Sequence, residues 1–255
     1  MSEKKLVLLI TEGGSDAAAL SVPLRRYFLE KQIARTFECV IYGTDISLHA
    51  RKDPPLQSDP ALVMERVVEA IEEFLGSQTN SNKYTLDDIG VVMTLSDLDC
   101  CYCREPDLEF GGPHCATYPD YQRKRLICND VAFVSKRNEI KTDALGVLRN
   151  EEMIKLRDGK VVPFRAFYCS VNLEHSLYND TLSRKPEEKM ALAKQWASKY
   201  KQNANEFYLA VSSIPRLGDG YLESWDEREL RKNPFSRLSN LKIMIDWLTV
   251  LPPQK

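Results

Sequence analysis

Three carboxylates stand directly behind short apolar runs. Glu12 follows residues 6–11 (LVLLIT), and Asp97 and Asp99 come just after residues 89–95 (IGVVMTL). Two aspartates one residue apart at a strand end can turn to the same side and share a hard cation. Magnesium takes oxygen ligands and keeps several of its waters. Such an ion neutralises phosphate charge and orients an attacking water or hydroxyl, and manganese suits the same oxygen donors. Glu12 is then a further ligand or a group that moves a proton. The plainer alternative is a set of ordinary turn acids, since Asp-x-Asp is a common spacing.

For these acids to meet, the runs before them must lie side by side in one sheet. Both runs are continuously apolar, as in strands buried on both faces. Between them strand and helix patterns alternate. Gly13-Gly14 breaks the first strand, and Ser15 and Asp16 are placed to cap a helix over 17–30. Leu20, Leu24, Tyr27 and Phe28 share one side of that helix, and Pro23 predicts a kink or restart within it. Residues 37–42 (FECVIY) predict a second strand, closed by Gly43-Thr44-Asp45. Residues 49–60 read as a loop. Asp59-Pro60 starts a helix through Leu62, Val63, Val67, Ala70, Ile71 and Phe74 that stops near Gly76. A polar linker over 78–83 leads to the third strand. This β-α-β-α-β order predicts an α/β sheet of mostly parallel strands with right-handed crossovers. Ligands of such sheets bind outside the carboxyl ends of the strands, so the three acids share one edge.

Beyond Asp99 the regularity lapses. Residues 100–130 are rich in Cys, Pro, Gly and Tyr and read as an insertion. Residues 153–156 and 161–169 predict a hairpin around Asp158-Gly159. Helices are expected over 186–200, 206–211 and 236–248. Glu174 and His175 follow the strand that ends at residue 169. Glu174 can complete a metal site and His175 can contact phosphate, or Glu174 simply favours a helix start. Asp45 faces the same edge as the other acids or is an ordinary turn aspartate. Arg123-Lys124-Arg125 and Arg184-Lys185 can contact a phosphate backbone, or form solvated faces. Lys185 or Lys189 can stabilise a phosphoryl transition state. Cys100, Cys101, Cys103, His114, Cys115 and Cys128 include donors for zinc, but their spacing departs from a common knuckle and buried thiols are expected instead. Trp225 and Trp247 are expected in the core.

The segment ITEGGSD (residues 10–16) resembles the first motif of the Toprim family, an apolar strand ending in Glu-Gly with an acid a few residues on. VVMTLSDLD (residues 91–99) resembles the second, an apolar strand ending in Asp-x-Asp. The likeness covers residues 5–99 and is nearest to the OLD and RloB-like nucleases of bacterial phage defence. It implies that Glu12 is the acid/base glutamate and that Asp97 and Asp99 bind magnesium. Two further segments are similar to the family: VIYGTDI (residues 40–46), which carries Asp45 as a metal ligand, and Asn172-Leu173-Glu174, which adds Glu174 to the catalytic set. The pair is followed by Cys100-Cys101-Tyr102-Cys103 rather than the small residues often found there. Glu12-Gly13-Gly14-Ser15 lacks the lysine of a phosphate loop, so any ATPase is a separate chain. The implied fold is a Toprim-like, Rossmann-like α/β domain over residues 1–180, with an insertion near 100–160. Residues 181–255 add a helical C-terminal extension packed on it.

Composition narrows the reading further. The chain has 255 residues, with 35 Lys+Arg against 37 Asp+Glu and a net charge of −2. Nucleic-acid binding must therefore use a local patch. Three histidines exclude a His-rich metal cage. No apolar run approaches the roughly 18 residues of a membrane helix. Seven cysteines without a secretory leader predict a cytoplasmic protein with reduced thiols. The expected function is magnesium- or manganese-dependent cleavage of DNA or RNA, as the effector of an anti-phage system working with a separate ATPase. The alternatives are a non-catalytic module sensing a nucleotide or protein partner, and an enzyme acting on small phosphorylated molecules.

Overall fold

The computed structural model describes residues 4–44, 46, 62–81 and 83–251. Asp45, the 49–60 loop and the Asp59-Pro60 helix start lie outside them. Strand β1 (Lys5–Thr11) leads through helix α1 (Gly14–Glu30) to β2 (Phe37–Gly43), and α2 (Leu62–Gly76) precedes β3 (Ile89–Asp97). Three short strands follow, β4 (Leu108–Phe110), β5 (Tyr118–Asp120) and β6 (Arg125–Cys128), and then the 20-residue helix α3 (Val131–Asn150). The hairpin β7 (Met153–Lys155) and β8 (Val161–Cys169) forms around Asp158-Gly159, as the sequence predicts. Helices α4 (Leu173–Tyr178), α5 (Pro186–Tyr200), α6 (Ala204–Ser212), α7 (Tyr221–Ser224), α8 (Glu227–Lys232) and α9 (Leu241–Thr249) complete the chain.

The main sheet has the order β2-β1-β3-β8-β7, parallel except for β7. It is an α/β sheet flanked by helices, compatible with a Rossmann-like fold. Both sheet faces are covered, which explains the unbroken apolar runs. Val7 and Leu9 of β1 face α1, α5, α6 and α9, whereas Leu6, Leu8 and Ile10 face α2, α3 and Trp225. From β1 the chain crosses to β2 on one side and later to β3 on the other. The strand order thus reverses at β1/β3, where α/β sheets open a ligand crevice. Register places Thr11 opposite Leu95. Glu12 and Asp97 therefore leave the sheet at nearly the same level.

Three expectations are corrected. Pro23 does not restart α1 as a separate helix; it lies buried inside one continuous 17-residue helix. The last helix begins at Leu241 rather than 236. Residues 238–240 are instead bound to the end of β8: Ser170 N–H donates to Leu238 O at 2.9 Å, and Tyr168 N–H donates to Asn240 Oδ1 at 2.7 Å. Residues 100–130 also hold a small sheet, β4-β6-β5, whose three- and four-residue strands are too short to show a period.

Gly43 ends β2 directly against the turn after β1. A Cβ there would sit 2.8 Å from Gly13 O and 2.9 Å from Gly13 C, both backbone atoms that cannot rotate away. Gly43→Ala is expected to destabilise the protein by about 2 kcal/mol through overpacking. Urea unfolding checks this: the midpoint should fall with the slope unchanged.

Candidate functional site

The turn after β1 is tightly specified. Gly13 N–H donates to Asp16 Oδ2 at 3.0 Å, Ala17 N–H donates to Gly13 O at 3.3 Å, and Thr44 N–H donates to Thr11 O at 2.8 Å. Asp16 thus caps the start of α1, and its carboxyl is buried beside the sheet edge rather than turned to solvent.

After Asp97 the chain turns under a second set of restraints. Leu98 N–H donates to Cys169 O at 2.8 Å, and Asp99 N–H donates to Val171 O at 2.9 Å. Asp99 and Cys100 both adopt left-handed backbone, with φ of 47° and 57°. Consecutive left-handed non-glycine residues cost roughly 1–2 kcal/mol each, so the surroundings must hold them. One face of α3 does so. Arg137 donates to Asp99 O at 3.2 Å, Asn138 Nδ2 donates to Cys100 O and Cys103 O at 3.4 and 3.3 Å, and Thr142 Oγ1 donates to Cys101 O at 3.2 Å.

Lys141, on that same face, joins the two acidic loops. Its ammonium lies 2.6 Å from Asp99 Oδ2 and 3.3 Å from Glu12 Oε1, and its side chain is only 6% exposed. Burial pulls the lysine down, but the Asp99 and Glu12 carboxylates outweigh it and hold the ammonium charged, above the ordinary lysine value. Asp97 responds in the opposite sense. Burial, then repulsion from Asp16, Glu12 and Asp99, raises it well above the usual carboxylate range, while Lys141 acts against the shift. Asp16 is pushed up to about 6, by burial first and then by Glu174.

Glu174 enters from the start of α4, whose N-cap Asn172 accepts from His175 N–H at 2.8 Å. It is buried and pairs with Lys189 of α5 at 3.4 Å. Glu12, Asp97, Asp99 and Glu174 therefore all reach this edge of the sheet, together with Asp16. The phosphate-contact reading of His175 is corrected. Its ring is buried against Tyr121, and burial lowers it to about 4, leaving a neutral imidazole at pH 7. Arg123 is taken up by both Glu109 oxygens at 2.9 and 2.7 Å. The cysteines of the insertion are buried except Cys115, which is half-buried. Trp225 is in the core and Trp247 packs against it.

Two residues escape the sequence reading. Asp16 reads as a helix cap, which it is. Lys141 lies in α3, where Asn138, Lys141 and Thr142 interrupt the buried face with polar groups and obscure its apolar spacing. Among the described residues, no three His, Cys, Asp or Glu side chains stand ready to hold a metal ion. The donor chemistry nevertheless fits one. Five carboxylates face Lys141 and Lys189, and Asp97 and Asp16 are raised by burial first and then by their acidic neighbours. A hard divalent cation binds such oxygens, and at Asp99 and Glu12 it would compete with the buried ammonium of Lys141.

Because Asp16 is raised on folding, its stabilising contribution is complete below its unfolded value near 3.8 and is lost as pH rises through about 6. Asp16→Asn keeps an acceptor for Gly13. In chelated buffer it should flatten the decline in stability between pH 4 and 7 and be the more stable protein at pH 7.5, by about 1–3 kcal/mol. Parallel stability–pH curves for the two proteins would contradict this.

Compared with known proteins, the chain matches no family model, no curated protein and no solved structure. Among the described residues no helix is long and apolar enough to cross a membrane.

Proposed function

We propose that this protein is a Toprim-type, magnesium-dependent nuclease that cleaves phosphodiester bonds of DNA or RNA. The observation that carries the reading is the meeting of Glu12, Asp97 and Asp99 at the β1/β3 switch point, with Asp97 raised by burial and then by its acidic neighbours. Asp97 and Asp99 would hold the ion, with Glu12 as a third ligand or as the group that takes the proton from the attacking hydroxyl. Bound there, magnesium or manganese would neutralise phosphate charge and acidify a water. Lys141 adds a fixed ammonium beside Asp99, suited to a non-bridging phosphate oxygen. Lys189 holds Glu174 in place. The motifs of residues 10–16 and 91–99 support the Toprim assignment, and the likeness to phage-defence nucleases suggests an effector that works in the cytoplasm with a separate ATPase.

One observation favours a second reading, a regulatory module that senses a nucleotide or protein partner without cleaving. Lys141 already supplies Glu12 and Asp99 with a counter-charge. The two readings separate in one assay. Purified protein is incubated with plasmid, single-stranded DNA and tRNA, with magnesium, with manganese and with chelator. Metal-dependent cleavage of any of these supports the nuclease; intact substrates throughout support the module.

A further inference from the structure

A cleft of about 410 Å³ opens beside Asp99, within the range of roughly 300–1,000 Å³ typical of small-molecule sites. Its walls come from elements far apart in sequence. Tyr118 of β5, Tyr121, Arg184 and Lys189 line the cleft together with Arg137 of α3, which donates to Asp99 O. Three cations and two aromatic rings therefore line a concave space that begins at Asp99.

The details suit a particular class of occupant. Tyr121 packs on the His175 ring, with centroids 4.7 Å apart, and also lines the cleft. Tyr118 is 43% exposed although it belongs to a strand, which leaves its ring available for stacking. Arg184 is anchored through Nε to Asp180 at 2.7 Å, and a guanidinium has further donors to offer an anion. A phosphate next to Asp99 would carry its attached sugar and base into this cleft. Bases inside a duplex are stacked on one another and cannot reach a protein ring unless unpaired or flipped out.

We infer that this cleft is a subsite for one unpaired nucleotide, carried on a single strand or free, with its base on Tyr118 and Tyr121 and its phosphate toward Arg137, Arg184 and Lys189. The inference rests on the nuclease reading for its link to the reaction, and it narrows the substrate to single-stranded or locally unpaired nucleic acid.

Binding can be measured apart from cleavage. The full chain is titrated in chelator against a fluorescent ten-nucleotide single strand and against the same sequence as a duplex, by anisotropy. The single strand should bind more tightly. Tyr118→Ala should weaken it about 5- to 100-fold, the usual effect of removing a stacking ring, and Tyr118→Trp should restore it. Arg184→Gln should weaken binding and reduce its salt dependence. Competition by a nucleoside monophosphate distinguishes the sources. Displacement only at millimolar concentration points to a strand, and displacement at micromolar concentration points to a free nucleotide. Equal affinity for duplex and single strand, or unchanged affinity in Tyr118→Ala, overturns the inference. The failures remain distinct. Single-strand binding through Tyr118 without cleavage in any metal removes the nuclease and leaves the subsite. Cleavage with binding indifferent to Tyr118 removes the subsite and leaves the nuclease.

Discussion

A protein carrying both Asp97→Asn and Asp99→Asn is expected to lose metal-dependent cleavage almost completely. Each single change should cost about 10- to 100-fold, the usual effect of losing or misorienting a metal-site group, and the double change correspondingly more. The substitutions are isosteric, and the fold should survive them. Asp97→Asn should even stabilise the metal-free protein, because it removes a carboxyl whose charge is disfavoured by burial first and then by Asp16, Glu12 and Asp99. Asp99→Asn removes the closer of the two Lys141 contacts, at 2.6 Å, and should be mildly destabilising. This opposition between stability and activity is the signature of a functional acid cluster. Glu12→Gln should reduce turnover by about 10²–10⁴-fold with a smaller effect on metal affinity if the glutamate moves a proton. Parallel turnover and unfolding measurements on the single and double variants check this pattern, with a mock purification excluding contaminating nuclease. Wild-type activity in the double variant would refute the mechanism.

The second large effect concerns Lys141. Replacing it with Met removes a buried ammonium and leaves Glu12 and Asp99 facing each other and Asp97. The expected loss in chelator is about 3 kcal/mol, at the low end for breaking a buried pair because Asp99 remains 46% exposed. For a chain of this size that lowers the melting temperature by roughly 6–12 °C. Added magnesium should recover part of the loss, since a cation that binds the folded state stabilises it by mass action. The recovery should exceed the shift that the same magnesium gives the wild type. If Lys141 is the permanent counter-charge of a non-catalytic module, magnesium moves neither melting curve.

The residues that ended apolar runs were the most legible part of the chain. A strand buried on both faces must be apolar throughout, so residues 6–11 and 89–95 announce two neighbouring strands, and the acids behind them announce an edge. The turn at Asp158-Gly159 and the proline start of α5 were equally plain. The clamp on the Asp99 turn was not. Left-handed backbone is usually signalled by glycine or asparagine, and here it falls on Asp99 and Cys100. Those residues are held by α3, whose inward face carries Arg137, Asn138, Lys141 and Thr142 where a core helix would be apolar. The polarity that makes α3 useful to the site is what hides it from a periodicity argument. Residues 238–240 misled for a related reason: their backbone serves the end of β8 before α9 begins.

The central claim is that this acidic edge takes a divalent cation. Manganese reports its own binding through loss of its free paramagnetic signal, so titration of the wild type and of the Asp97→Asn/Asp99→Asn variant tests the claim without a nucleic-acid substrate. The wild type should bind manganese stoichiometrically at micromolar to millimolar concentration, with magnesium in competition. Affinity should weaken as pH falls and Asp97 takes up its proton, and the variant should not bind. A wild type that leaves manganese free at millimolar concentration and pH 8, or a variant that binds it equally well, would contradict the account.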